Sequence, residues 1–278
     1  MFSHIREFSH GESIIPSNDS LLPDTYFNII KLKRGETYSL KLPDYETVWV
    51  VLQGNSDAFV DGKQYANIGQ RKDVWSGKAD SVYAGAGAEV MIIGNNEITE
   101  IAIVGGKCSQ KYPSFRIKPE EVEMVEVGSS ETKSHRKIFH ILGQNGAGCA
   151  GNLLVSELYC EEGCWSGYPP HKHDSENPPE ETAFEETYHY RFNPDTGFGA
   201  QFLYDDHGNS HVVMTRHGDT FAFKGGYHPT VTSPGHAEYI LTILVGKHHR
   251  SLIQNFKEEH RYLMEKIPGI AGMREKFK

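Results

Sequence analysis

Apolar and polar residues alternate with a period of two along most of this chain, in short runs separated by glycine. NIIKLKRG (28–35) alternates apolar and basic positions, and TVWVVLQGNSDAFVDG (47–62) reads as two strands meeting around Gly54. SVYAGAGAEVMIIG (81–94) holds a further pair, and EIAIVGG (100–106) closes the run. Successive side chains leave a strand on opposite faces, so this alternation, with β-branched and aromatic enrichment, marks strands. Glycine supplies the left-handed turn positions between them.

The second half repeats the style. LLVSELYC (153–160), EETYHYRF (185–192), GAQFLYDD (199–206), HVVMTR (211–216), DTFAF (219–223) and YILTILVG (239–246) are the strands it predicts. Recurrence at this short spacing predicts an all-β fold of sandwiches or barrels. Two β halves of similar size suggest an internal duplication. A proline-broken stretch of quickly changing charge near 107–119 predicts the linker. The expected organisation is a first barrel over 1–110, a second over 111–262 and a tail over 263–278. QNFKEEHRYLMEKI (254–267) has a helical period, which predicts a short C-terminal helix ended by Pro268.

With 278 residues the chain has room for two domains. Hydrophobic content of 38% and charged content of 23% allow a sizeable core. A net charge of -9 argues against nucleic acid and anionic membranes as partners. It also means that an acidic substrate needs a local cation. The four cysteines (Cys108, Cys149, Cys160 and Cys164) form no C-x-x-C pair and read as reduced thiols. MFSHIREFSH shows no apolar signal core, and no run approaches the ~18 apolar residues of a membrane span. The expected location is the cytoplasm.

The candidate chemistry sits in GYPPHKHDSENPPEETAFEETYHYRF (167–192) and HGDTFAFKGGYHP (217–229). His171 and His173 are spaced i, i+2, which on a strand puts both imidazoles on one face, roughly 7 Å apart. His228, after the Gly225-Gly226 turn, would return on a neighbouring strand. With one carboxylate these three nitrogens make a set suited to a divalent transition metal: zinc first, with manganese, iron and nickel also fitting. Among 15 histidines a lone H-x-H carries little, and the combination of segments carries the reading. Glu180, Glu181, Glu185 and Glu186 all compete for the carboxylate position. Tyr188 and Tyr190 share a face with Glu186 and are the candidate catalytic groups; Phe192, on that face too, reads as core. The first half has no H-x-H, so its barrel is expected to be metal-free and structural.

The G-x(n)-H-x-H…E and G-D…G-x-H segments resemble the two cupin motifs. GYPPHKHD, the P-P-E-E…R-F-N-P-x-x-G-F block and RHGD…GGYHP resemble the 5-deoxy-glucuronate isomerase family of myo-inositol catabolism, which is related to 5-keto-4-deoxyuronate isomerase. LQGNSDAFVDG, GQRKDVWSGKADSVYAGAG and FRIKPEEVE extend the likeness through the first half. The resemblance implies a bicupin of two jelly-roll barrels, with metal ligands at His171, His173, Glu186 and His228. Glu186 is preferred because the strand behind it is similar to the one behind the metal glutamate of the related isomerase. The implied reaction is an aldose–ketose isomerisation of 5-deoxy-D-glucuronate to 5-dehydro-2-deoxy-D-gluconate by a homo-oligomer. A base and a cation for the substrate carboxylate are then needed; Lys172, Arg191, Arg216 and Lys224 are within sequence reach. The alternatives are a 4-deoxyuronate isomerase, a cupin dioxygenase and a non-catalytic sugar-acid binding module.

Overall fold

The computed structural model describes residues 2–5, as backbone, and 12–276. The strands form two stacked pairs of antiparallel sheets. In the first barrel a five-stranded sheet runs Phe115–Ile117, Ser81–Ala84, Tyr45–Gln53, Thr99–Lys107, Thr25–Leu32. It faces a four-stranded sheet of Thr37–Lys41, Glu89–Gly94, Ser56–Val60 and Lys63–Ile68. In the second barrel a seven-stranded sheet runs Phe2–Ile5, Thr220–Phe223, Phe184–Asn193, Ala237–Gly246, Leu153–Cys160, Arg136–Leu142, Glu123–Val127. A four-stranded sheet of Trp165–Ser166, Thr230–Thr232, Phe198–Tyr204 and Ser210–Arg216 closes it. The all-β expectation therefore holds, and each run read as a strand contains one.

The central strands of both large sheets are buried on two faces, so there the alternation gives way to near-continuous apolar runs. In the Ala237–Gly246 strand, Tyr239, Leu241, Ile243 and Val245 pack against Phe27, Ile29, Val48 and Val50 of the first barrel. The alternate residue Ile240 joins Tyr188, Tyr190, Phe192, Phe221 and Phe223 inside the second barrel. Polar groups cross the same seam. Arg71 makes a forked ion pair with Glu157 at 2.6 and 3.0 Å, both side chains buried. Glu46 accepts from the backbone N–H of Gly151 at 2.6 Å and of Leu153 at 3.0 Å. Thus the first barrel braces the second through apolar packing and buried charges together.

Three features depart from the expectations. The boundary expected at 110/111 precedes the Phe115–Ile117 strand, which pairs with Ser81–Ala84; the chain crosses to the second barrel between Ile117 and Glu123. The Phe2–Ile5 strand, with His4 in it, pairs with Thr220–Phe223 of the second barrel; His10 lies outside the described residues. The helix expected over 254–267 is not continuous. Asn255–Phe256 pairs with His171–Lys172 as a strand, Glu258–His260 is a 3-10 turn, and Leu263–Lys266 is a single helical turn. A short helix, Ile270–Lys276, follows Pro268 instead of ending before it. The tail is part of the folded body: Ile267, Ile270 and Met273 are buried against Val127, Ile138 and Phe256. All four cysteines are free thiols. Among the described residues, no helix is long and apolar enough to cross a membrane.

Candidate metal centre

Three segments converge inside the second barrel. His171 and His173 lie on an extended segment tied on both sides. Its first part pairs with Asn255–Phe256, and the His173 carbonyl accepts from the Phe184 N–H at 2.8 Å. Glu186 is the third residue of the Phe184–Asn193 strand. His228 is delivered by the Gly225-Gly226 turn, where glycine is required. Gly226 has φ of +90°, and a Cβ there would stand 2.9 Å from the Tyr204 carbonyl oxygen. A Cβ on Gly225 would lie 2.5 Å from that of Asp174. The Gly226 N–H donates to Asp174 at 2.8 Å, which locks this turn against the His171–His173 segment.

Ligand atoms of His173, Glu186 and His228 all lie within 4.8 Å of one another, and all three side chains are buried. His173 Nε2 stands 2.9 Å from Glu186 Oε2, and His228 Nε2 stands 3.2 Å from the same oxygen. His171 flanks this trio, its ring 4.9 Å from that of His228 and 6.3 Å from that of His173. Its Nε2 faces the Gln254 side-chain amide at 2.9 Å.

The hydrogen bonds fix two tautomers. A carbonyl oxygen can only accept, so His228 Nδ1–H donates to the Gly226 oxygen at 2.8 Å and His171 Nδ1–H donates to the Pro169 oxygen at 2.9 Å. Both Nε2 atoms therefore carry lone pairs. For His228 that lone pair confronts a carboxylate oxygen, two acceptors at 3.2 Å, and Nε2 is buried with no hydrogen-bond partner. His173 Nδ1 is likewise buried without a partner. Acceptors facing one another in a dry site call for a cation between them, so the residues fit a divalent ion. Burial favours the neutral form of two of these imidazoles, pulling His171 down to about 3 and His228 well below its ordinary value, whereas for His173, equally buried, the Glu186 carboxylate beside it outweighs burial and raises it.

The predicted residues separate on this geometry. Tyr188 lines a small cavity of about 50 Å³ together with Arg136, His171, Glu186, Gln254 and Met273. Burial, reinforced by the Glu186 charge, holds its phenol well above the usual range, so it stays protonated. Tyr190 does not line that cavity. Its hydroxyl donates to Gln201, whose amide donates to the His228 carbonyl at 2.9 Å, so Tyr190 braces the strand that presents His228. Among the rival carboxylates, Glu185 faces the other barrel and accepts from the Thr25 hydroxyl at 2.8 Å. Glu181 accepts from the Asp174 and Ser175 N–H groups at 2.7 and 2.9 Å, and Glu180 is exposed. Of the four cations within sequence reach, Lys172 pairs with Asp174 at 2.9 Å and Arg191 with Glu100 at 2.7 Å. Arg216 and Lys224 are exposed. Sequence reasoning missed Arg136, Gln254 and Met273. Arg136 opens a strand that no clean alternation announces, and the other two lie in the stretch that follows the Ala237–Gly246 strand.

The KduI/IolB family description matches residues 4–263. The chain belongs to the KduI/IolB family. Among curated relatives, the 5-deoxy-glucuronate isomerase of Geobacillus thermodenitrificans (strain NG80-2) is 34% identical over 245 residues, covering 86% of each chain. Among solved structures, an iolb-like protein from Salmonella typhimurium LT2 superposes with a TM-score of 0.81 at 29% identity, over 86% of this chain and 90% of that one. A mutant of the Bacillus subtilis oxalate decarboxylase OxdC superposes with a TM-score of 0.60 at 13% identity, over 88% and 72%. That last likeness speaks to architecture alone. With the sheet topology, these matches bear out the bicupin expectation for this KduI/IolB chain.

Proposed function

We propose that the chain is an aldose–ketose isomerase converting 5-deoxy-D-glucuronate to 5-dehydro-2-deoxy-D-gluconate, with a divalent metal held by His173, Glu186 and His228 and flanked by His171. The reading rests on one observation above others: a lone-pair nitrogen of His228 and an oxygen of Glu186 face each other at 3.2 Å in a buried site. Kinship to isomerases supports the reaction class.

The isomerisation moves hydrogen between adjacent carbons while negative charge develops on a carbonyl oxygen. A divalent ion in this donor set supplies Lewis-acid stabilisation of that charge when bound. The protein's own groups orient and polarise the substrate. Tyr188, kept protonated beside Glu186, can donate a hydrogen bond to a substrate oxygen. Tyr190 and Gln201 hold the His228 backbone, and Pro169 and Gly226 fix the imidazole tautomers. The buried walls exclude water, which strengthens each of these electrostatic interactions.

Zinc is the first metal to test, with manganese, iron and nickel as the alternatives. The same reading makes the chain a cytoplasmic homo-oligomer acting on a small anionic sugar acid. Phe198, Val212 and Met214, exposed on the outer sheet and its edge strand, supply apolar surface for self-association, which light scattering would test.

The deciding experiment incubates purified protein with 5-deoxy-D-glucuronate without oxygen and follows the carbon skeleton by NMR. The expected result is the ketose without an oxidant, loss of turnover on chelation and recovery on adding one of these metals. Oxygen-dependent turnover would favour a cupin dioxygenase; binding without product would favour a sugar-acid binding module.

A further inference from the structure

Arg136 is 2% exposed at the start of the Arg136–Leu142 strand, inside the second barrel. Its guanidinium donates to two backbone carbonyls, Ser134 at 2.8 Å and Tyr168 at 2.6 Å. Among the described residues no carboxylate forms an ion pair with it. Four other cations of the chain do have carboxylate partners. Arg71 has Glu157, Arg191 has Glu100, Lys172 has Asp174, and Lys247 has Asp24 and Glu185. Burial pulls Arg136 down to about 10, which leaves it charged at neutral pH. A buried cation without an anion is costly, and such groups are retained where an anion arrives.

The cavity tells which anion. Arg136 lines the same small space as His171, Glu186 and Tyr188. We propose that Arg136 binds the carboxylate of the substrate and so orients it, carboxylate toward Arg136 and C1–C2 toward His173, Glu186 and His228. This rests on the isomerase reading and deepens it. The substrate carries its aldehyde and its carboxylate at opposite ends of a six-carbon chain, so a cation on one wall of the cavity and Glu186, the member of the ligand trio that reaches it, with His171 beside it, match both ends. A planar guanidinium can hold both carboxylate oxygens through parallel N–H donors, giving direction as well as charge. It also supplies the local cation that a chain of net charge -9 otherwise lacks.

The test uses the metal-loaded full chain and begins with wild-type turnover. R136Q should raise KM for 5-deoxy-D-glucuronate by roughly 30–100-fold with a smaller change in kcat, and R136K, which keeps the charge but not the fork, by about 10-fold. Inhibition by D-glucuronate should weaken in parallel, while inhibition by neutral D-glucose stays unchanged. Wild-type turnover with an unaltered KM and unaltered acid-over-neutral discrimination in R136Q overturns the assignment. If R136Q does not fold, nitrogen-15 NMR of the wild-type arginine Nε–H groups, assigned with R136K, decides. The Arg136 signal must move with D-glucuronate and not with D-glucose, and a stationary signal overturns the proposal. Absence of wild-type turnover together with Arg136-dependent D-glucuronate binding would sink the isomerase reading and leave the carboxylate site standing.

Discussion

Glu185 and Glu186 are adjacent in the chain and serve opposite faces of one sheet. Glu186 Oε2 approaches His173 and His228 at 2.9 and 3.2 Å, while Glu185 Oε2 accepts from Thr25 of the other barrel at 2.8 Å. Strand geometry forces the division, since neighbouring side chains cannot share a face. E186Q should therefore lose bound metal, read by elemental analysis, and lower turnover at least ~100-fold. E185Q should keep the metal and instead destabilise the fold by about 2–3 kcal/mol, because the amide keeps only one acceptor oxygen for Thr25 and Lys247 and removes the buried charge that pairs with Lys247. Equal metal loss in both variants would refute the division.

The three histidines should not be equivalent. His173 and His228 have ligand atoms in the tight group with Glu186, whereas His171 Nε2 is held by Gln254 at 2.9 Å. Chelator competition should show metal affinity falling more than ~100-fold in H173A and H228A but only about 10-fold in H171A. Q254L frees the His171 lone pair, so its metal affinity should match or exceed wild type. A weaker Q254L site would mean that Gln254 supports the ligands rather than competing for one.

Which parts of this arrangement were legible in the sequence follows from burial. The Tyr45–Gln53 and Ala237–Gly246 strands announce themselves because their apolar residues serve two cores at once. Thr37–Lys41 and Lys63–Ile68 went unread because they are polar, largely exposed strands with little to bury. Arg136–Leu142 went unread for a different reason. Its inward positions include Arg136 and His140, polar groups turned toward the barrel interior, so polarity there signals the cavity and not solvent. The 254–267 stretch has a helical period, yet tertiary pairing decides its first residues: Asn255–Phe256 docks on His171–Lys172, and Phe256 packs 5.3 Å from the His171 ring. Propensity loses there to a contact that only the folded site provides.

Glu238 gives a pH dependence whose sign can be worked out. Its carboxyl is fully buried, neither oxygen has a hydrogen-bond partner, and burial raises it from 4.5 to about 8. The folded state then binds more protons than the unfolded state between those values, so this group lowers stability as pH rises from about 4.5 to about 8. The penalty is absent below that window and constant above it. E238Q removes it. Denaturant titrations should show E238Q gaining on wild type by up to a few kcal/mol at pH 8, the difference shrinking steadily towards pH 5. A difference that is flat with pH would mean that Glu238 does not titrate in this range.

The cavity's size makes the tail part of the reaction path. At about 50 Å³ it is far smaller than the ~300 Å³ or more of ordinary small-molecule pockets, so a wall must give way to admit a six-carbon acid. Most of that wall is sheet, fixed by strand pairing. Gln254 and Met273 are not: both follow the Ala237–Gly246 strand, and Met273 sits in the tail, on the short Ile270–Lys276 helix. A flexible thioether is suited to yielding. M273A should lower KM about 3–10-fold by reducing the work of entry, while costing about 2–3 kcal/mol of stability through lost burial. M273W should raise KM by a similar factor, and chelators should strip metal faster from M273A than from wild type. If both variants leave KM and stripping rate untouched, substrate enters elsewhere and the tail is only packing.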